Sequence, residues 1–259
     1  MITIAVANHK GGVGKTTTAI NLGSLLVQAG YKVLLVDLDP QASLTASLNI
    51  DNRFGRSMAE VMGSSDPGTL GIEKIVIDIP IEEDFFLHVA PSDLTLANCE
   101  LGLTARLGRE NVLKKALNKV NANYDVCLVD CPPSLSILTV NALTACQGVI
   151  SPVLPQAADL RGLKLFIQSL ESLEDLNPDA KLLGVLICQF DGRLNHHQEA
   201  EEILEKSGLP LYKTRIGRTI KAAESAGVGR PLVDYDPSGQ RSNEYREFAG
   251  EVIAWLNKQ

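Results

Sequence analysis

The sequence has little that would commit it to a secreted, membrane-spanning or nucleic-acid-coating role. Only 5% of its 259 residues are aromatic, with a single Trp, and it has no excess of basic residues. Against 31 Asp and Glu stand 24 Lys and Arg, a net charge of −7. A bulk polycation is thereby excluded, so any contact with nucleic acid needs a local basic patch. The five cysteines (99, 127, 131, 146 and 188) are an odd number, and no pair has C-x-x-C spacing. That argues against a disulfide framework or zinc site and for a reducing compartment. Long hydrophobic runs are also missing. The stretch 182–188 falls far short of the about 20 apolar residues that cross a bilayer. The apolar opening 2–7 lacks a basic start and a cleavage site and runs straight into a glycine loop. No targeting segment is expected there, and the expected location is cytoplasmic.

What is present is ordinary for a globular chain: 45% hydrophobic, 21% charged, 21 Gly and 12 Pro. Short apolar runs at 2–7, 32–37, 75–79, 85–90, 125–130, 148–154, 182–189 and 211–216 read as strands. Several are continuously Val-, Ile- and Leu-rich, as strands buried on both faces are. Between them, helical patterns fall near 15–29, 93–105, 108–121, 135–146, 159–175, 196–207 and 219–227. Gly30 reads as the residue closing the first helix, and Asn177-Pro178 as the stop of the helix from 159. The stretch 51–71 is the least regular and reads as a surface excursion, because the alternation resumes after it. The expectation is a single α/β domain over 1–259: a doubly wound, mostly parallel sheet with helices on both faces.

The decisive motif is Gly11-Gly12-Val13-Gly14-Lys15-Thr16-Thr17, set between a strand and a helix. Glycines let backbone N–H groups turn inward and approach phosphate oxygens, and the helix N-terminus adds partial positive charge. Lys15 supplies a point charge for the β- and γ-phosphates, Thr16 a hydroxyl for Mg²⁺, and Thr17 a contact to the α-phosphate. The loop is a variant of G-x-x-x-x-G-K-[ST]: counting back from Gly14, the first position falls on His9. A second lysine, Lys10, stands at the loop mouth, and one nucleotide does not need it.

Lys10-Gly11-Gly12-Val13-Gly14-Lys15-Thr16 resembles the deviant Walker A loop of the ParA/MinD class of P-loop NTPases. Asp37-Leu38-Asp39-Pro40-Gln41 resembles its switch I segment. Leu128-Val129-Asp130-Cys131-Pro132-Pro133-Ser134 resembles its Walker B and switch II segment. The stretches Glu224-Ser225 to Gly229-Arg230-Pro231 and Tyr235-Asp236-Pro237 resemble the carboxy-terminal signature of ParA-type partition proteins. The resemblance implies an ATPase using ATP and Mg²⁺ that forms a nucleotide-sandwich homodimer. In it Lys10 reaches across to the partner's ATP, Asp39 orients the attacking water, and Asp39 and Asp130 hold Mg²⁺ through water. The adenine pocket would lie between Cys188-Gln189 and the loop after Ile216, with Gly217 where the family often has Pro. No strong base or arginine finger stands near the switches, so slow basal hydrolysis is expected.

Lys213, Arg215, Arg218, Lys221 and Arg230 form a basic run broken only by Glu224. It overlaps the place where ParA relatives carry arginines that touch DNA, which implies sequence-independent phosphate contacts by Arg215, Arg218, Lys221 and Arg241. A ParB-like activator is the implied protein partner. The rival is a MinD-like membrane ATPase, which ends in a basic amphipathic helix on lipid. Here the last helix carries Tyr245, Phe248, Ala249, Val252 and Leu256 opposite Glu244, Glu247 and Glu251. Anionic lipid would repel those acids, so that stripe reads as core and no membrane partner is expected.

Overall fold

The computed structural model describes residues 1–51, 56–63 and 71–259. Among the described residues, eight strands form one sheet: β1 (Ile2–Val6), β2 (Val33–Asp37), β3 (Ile77–Glu82), β4 (Phe85–Ala90), β5 (Val126–Asp130), β6 (Gly148–Val153), β7 (Lys181–Phe190) and β8 (Leu211–Gly217). Their order is β3-β4-β2-β5-β1-β6-β7-β8. All neighbours pair in parallel except β3 with β4, an antiparallel hairpin at one edge. The central strands read as unbroken apolar runs because both sheet faces are covered. Residues of β2 and β5 are all buried, and their side chains alternate between two hydrophobic clusters, one on each face.

The helices are α1 (Lys15–Gln28), α2 (Ser43–Ser47), α3 (Met58–Gly63), α4 (Leu96–Leu103), α5 (Val112–Val120), α6 (Ile137–Ala145), α7 (Ala157–Glu171), α8 (Asn195–Lys206), α9 (Lys221–Gly227), α10 (Leu232–Tyr235) and α11 (Gln240–Leu256). Gly30, at φ 89°, follows the end of α1 and donates to the Val27 carbonyl, while Tyr31 donates to Leu26. That is the left-handed closure the sequence announces. Tyr245, Phe248, Ala249, Val252 and Leu256 of α11 are buried in the cluster that α11 shares with α1. No helix among the described residues is long and apolar enough to cross a membrane.

Three expectations are corrected. The stretch 51–71 is not wholly a surface excursion. Within it, α3 buries Met58, Val61 and Met62 completely against Leu96, Leu103 and Val112; residues 52–55 and 64–70 lie outside the described residues. The strand expected at 75–79 begins at Ile77, because Ile72 and Ile75 are buried around a 3₁₀ turn at Ile72–Lys74 instead of pairing. The helix from α7 stops at Glu171, ahead of Asn177-Pro178. Asn177 serves instead as a buried tie, donating to the carbonyls of Leu143 and Cys146 at 2.8 and 2.7 Å.

Candidate functional site

The site forms where β1, β2 and β5 end. Strand β1 lies between β5 and β6; the chain leaves β1 towards β2 on one side and leaves β5 towards β6 on the other, which opens a crevice at the carboxyl ends, where α/β sheets bind ligands. Register places Val6 and Asp37 on either side of Asp130. The phosphate loop, the segment after Asp37 and the segment after Asp130 are thereby gathered at one point.

Gly12 and Gly14 take φ of 73° and 97°, and Gly14 is the residue before α1. Side chains rarely adopt that left-handed backbone, and the turn it makes leaves the first amides of α1 without helical partners. Asn8 is buried and braces the loop from below, donating to the Pro152 carbonyl at 2.7 Å and accepting from the Lys10 amide at 3.1 Å. Lys15 is 7% exposed, and its ammonium donates to the Lys10 carbonyl at 2.7 Å. Thr16 donates its hydroxyl to Asp130 Oδ2 at 2.7 Å. Burial pushes the Asp130 carboxyl up, reinforced by Asp37, and burial pulls the Lys15 ammonium down. The second carboxylate oxygen of Asp130 is enclosed and has no hydrogen-bond partner. An orphaned carboxylate oxygen beside a threonine hydroxyl suits a hydrated divalent cation, a hard ion that takes oxygen ligands.

Asp37, which the sequence reading did not single out as a site residue, is fully buried. Burial raises its carboxyl to about 6, opposed by hydrogen bonds from Thr45 and the Asp39 amide. Asp39 is half-buried, accepts from the Gln41 amide at 2.9 Å, and acts electrostatically on both Lys15 and Asp130. Lys10 is different from Lys15. Its ammonium lies 3.8 Å from Asp159 of α7, with the side chain 42% exposed.

Next to the loop, a cavity of about 140 Å³ is lined by Gly14, Thr17, Cys188, Gln189, Ile216 and Gly217, among others. The structure therefore brings the expected base-pocket residues beside the phosphate loop. Gln189, at φ 55°, turns its amide toward the Gly12 carbonyl at 3.4 Å. Gly217 is held by Glu244, which accepts from its amide at 2.8 Å, and a Cβ there would collide with the Arg241 guanidinium. Arg241 thus occupies the space that a larger residue at 217 would need.

A broader depression of about 800 Å³ adjoins this pocket. Of the four basic residues assigned to DNA, three are ion-paired within the molecule, and two of those are largely buried. Arg215 is 17% exposed and paired with Glu201 at 2.6 Å and Glu205 at 3.7 Å. Arg241 is 19% exposed and paired with Glu244 at 2.8 Å. Neither guanidinium is a free surface charge. Arg218 is exposed and lines the depression, and Lys221 is half exposed beside Asp236 at 2.8 Å. Arg193, absent from the sequence reading, lines the same depression and is 89% exposed, paired with Asp191 at 2.7 Å. The acids of α11 are also more than a solvated face. Glu251 accepts from the amides of Lys213 and Thr214, both at 2.9 Å, and so helps fasten α11 to β8.

The family model that matches this chain is described as an AAA domain and covers residues 1–182. The sporulation initiation inhibitor protein Soj of Bacillus subtilis is 38% identical over 253 residues, covering 97% of this chain and 98% of that protein. The chromosome partitioning protein ParA of Caulobacter vibrioides is 35% identical over 257 residues, covering 97% and 93%. Among solved structures, cobyrinic acid a,c-diamide synthase from Mycobacterium smegmatis with bound ADP and magnesium aligns with a TM-score of 0.85. It is 34% identical, over 100% of this chain and 97% of that one. The glycine loop, the strand-end carboxylates and this near full-length similarity agree: the chain belongs to the ParA/Soj family of partition ATPases.

Proposed function

We propose that the protein is an ATP- and Mg²⁺-dependent dimerisation switch whose closed pair holds DNA non-specifically. A ParB-like partner stimulates hydrolysis, and the cycle drives segregation or positioning of a plasmid, chromosome or large cargo. Two observations support nucleotide and cation in this chain: the orphaned oxygen of Asp130 beside Thr16, and the ADP and magnesium bound by the M. smegmatis relative. Amides of Gly11 to Thr16 and the start of α1 bind the phosphates. The backbone of Val13 and Gly14 and the hydroxyl of Thr17 complete that cradle, with Gln189, Ile216 and Gly217 beside the base. Lys15 neutralises charge from inside. Thr16 would hold the cation directly and Asp39 and Asp130 would hold it through water; an ion bound there would supply positive charge against the phosphates. Asp39 orients the attacking water, and basal turnover falls below about 10 per second.

The observation that carries the switch reading is the division of labour between the two lysines. Lys15 is buried within its own loop, whereas Lys10 is half exposed at the mouth and held only at 3.8 Å. A cation so placed is available to a second copy's triphosphate. Closing two copies would join their basic surfaces, Arg218 and Lys221 with Arg193, into one DNA-binding face. The membrane reading finds less support, because the apolar stripe of α11 is spent on the core. DNA binding of the purified protein with ATP, ADP and no nucleotide, at two salt concentrations, tests the proposal. Salt-sensitive binding that requires ATP is expected; binding that ignores nucleotide, or lipid binding without DNA binding, refutes it.

A further inference from the structure

Asp39 sits on a segment with an unusual backbone. Both ends of α2 are turned by non-glycine residues in the left-handed region, Ala42 at φ 52° and Asn49 at φ 50°. That conformation is unfavourable for alanine, though asparagine tolerates it, so the segment needs a tie to hold this shape at Ala42. The tie runs through Thr45, which is 4% exposed. Its amide and its hydroxyl both donate to Asp37 Oδ2, at 3.0 and 2.7 Å. The other oxygen of the same carboxylate accepts from the Asp39 amide at 3.2 Å. The Thr45 hydroxyl oxygen then accepts from the Ser92 amide at 2.9 Å. Ser92 follows β4 and immediately precedes the turn into α4. One hydroxyl therefore joins three pieces of chain: the end of β2, α2 and the loop after β4. It uses both its donor and an acceptor, all within the interior.

We infer that Thr45 is a positioning residue for hydrolysis: its buried hydroxyl locks the segment carrying Asp39 to Asp37 and Ser92, fixing where the Asp39 carboxylate stands relative to the phosphate loop. The inference rests on the role proposed for Asp39. Thr45 acts at one remove, its hydroxyl being spent on Asp37 and Ser92. It contributes through Asp39, whose displacement by a fraction of an ångström lowers the chemical step more than it lowers binding.

The test compares the full-length wild type with Thr45→Val, which keeps the shape and loses the hydroxyl, and Thr45→Ser, which keeps the hydroxyl and loses the methyl. Two readouts are taken: amide hydrogen exchange without nucleotide, and kcat with KM for MgATP. In Thr45→Val, the amides of residues 45 and 92 should exchange faster while that of Leu128 in β5 is unchanged. Its kcat should fall about tenfold or more with KM within about threefold. Thr45→Ser should recover most of both. If Thr45→Val does not fold, Thr45→Cys, a weaker donor and acceptor, should give an intermediate loss. The inference is overturned if Thr45→Val turns over like wild type, if KM rises while kcat holds, or if Thr45→Ser is as slow as Thr45→Val. Should the wild type itself fail to hydrolyse MgATP, the proposed function falls. The exchange experiment still decides the clamp, since unchanged protection at 45 and 92 in Thr45→Val would remove it.

Discussion

Replacing Lys10 with alanine separates folding from pairing, and the structure supplies both magnitudes. Within one copy, the ammonium of Lys10 meets Asp159 at 3.8 Å with the side chain 42% exposed. A pair of that length and exposure is worth about 0–1 kcal/mol. The Asp159 side chain, in contrast, is only 5% exposed, so losing Lys10 also leaves a largely buried carboxylate without its partner, at a cost of about 1–3 kcal/mol. Lys10→Ala should therefore lower the melting temperature by about 2–12 °C while leaving a folded protein. Across a two-fold pair the same residue counts twice. A charge-assisted contact to phosphate contributes about 1.5–3 kcal/mol, hence about 3–6 kcal/mol for two, which weakens dimerisation by about 10²- to 10⁴-fold. Light scattering at micromolar protein with a non-cleavable ATP analogue should show wild-type dimers and Lys10→Ala monomers, while calorimetry shows that the monomer still binds nucleotide. A Lys10→Ala dimer as tight as wild type would refute the cross-subunit role.

Four further outcomes follow from the same geometry. Asp39→Ala should bind ATP, dimerise and remain on DNA, with hydrolysis reduced at least about a hundredfold, read by phosphate release and by dissociation from immobilised DNA. Arg218→Ala combined with Lys221→Ala should flatten the salt dependence of DNA binding by about two counterions. Arg215→Ala, in contrast, should leave that slope unchanged and destabilise the fold, because it strips Glu201 of its 2.6 Å partner. Phe248→Ala should cost about 3–5 kcal/mol in chemical denaturation, because this side chain is fully buried and stacks edge-on against Tyr212 at 4.8 Å; a loss of less than about 1 kcal/mol would contradict the core assignment of α11.

By itself the sequence determined the sheet's central strands, the phosphate loop and the family. Those signals are local: apolar runs such as 33–37 and 126–130 are legible because strands covered on both faces admit little else, and the left-handed turns of the loop call for Gly12 and Gly14. The tertiary structure decided what depends on partners distant in the chain. Met58, Val61 and Met62 look like part of an irregular stretch until α4 and α5 are packed against them. Arg215 and Arg241 look like free charges until Glu201 and Glu244 close on them, since counting charges cannot say which are already paired. Asp37 looks like a plain strand end until Thr45 and Ser92, the latter 47 residues beyond Thr45, complete its network. A hydrogen bond needs its two atoms within about 3 Å, and only the folded chain sets distances of that kind between residues so far apart in sequence.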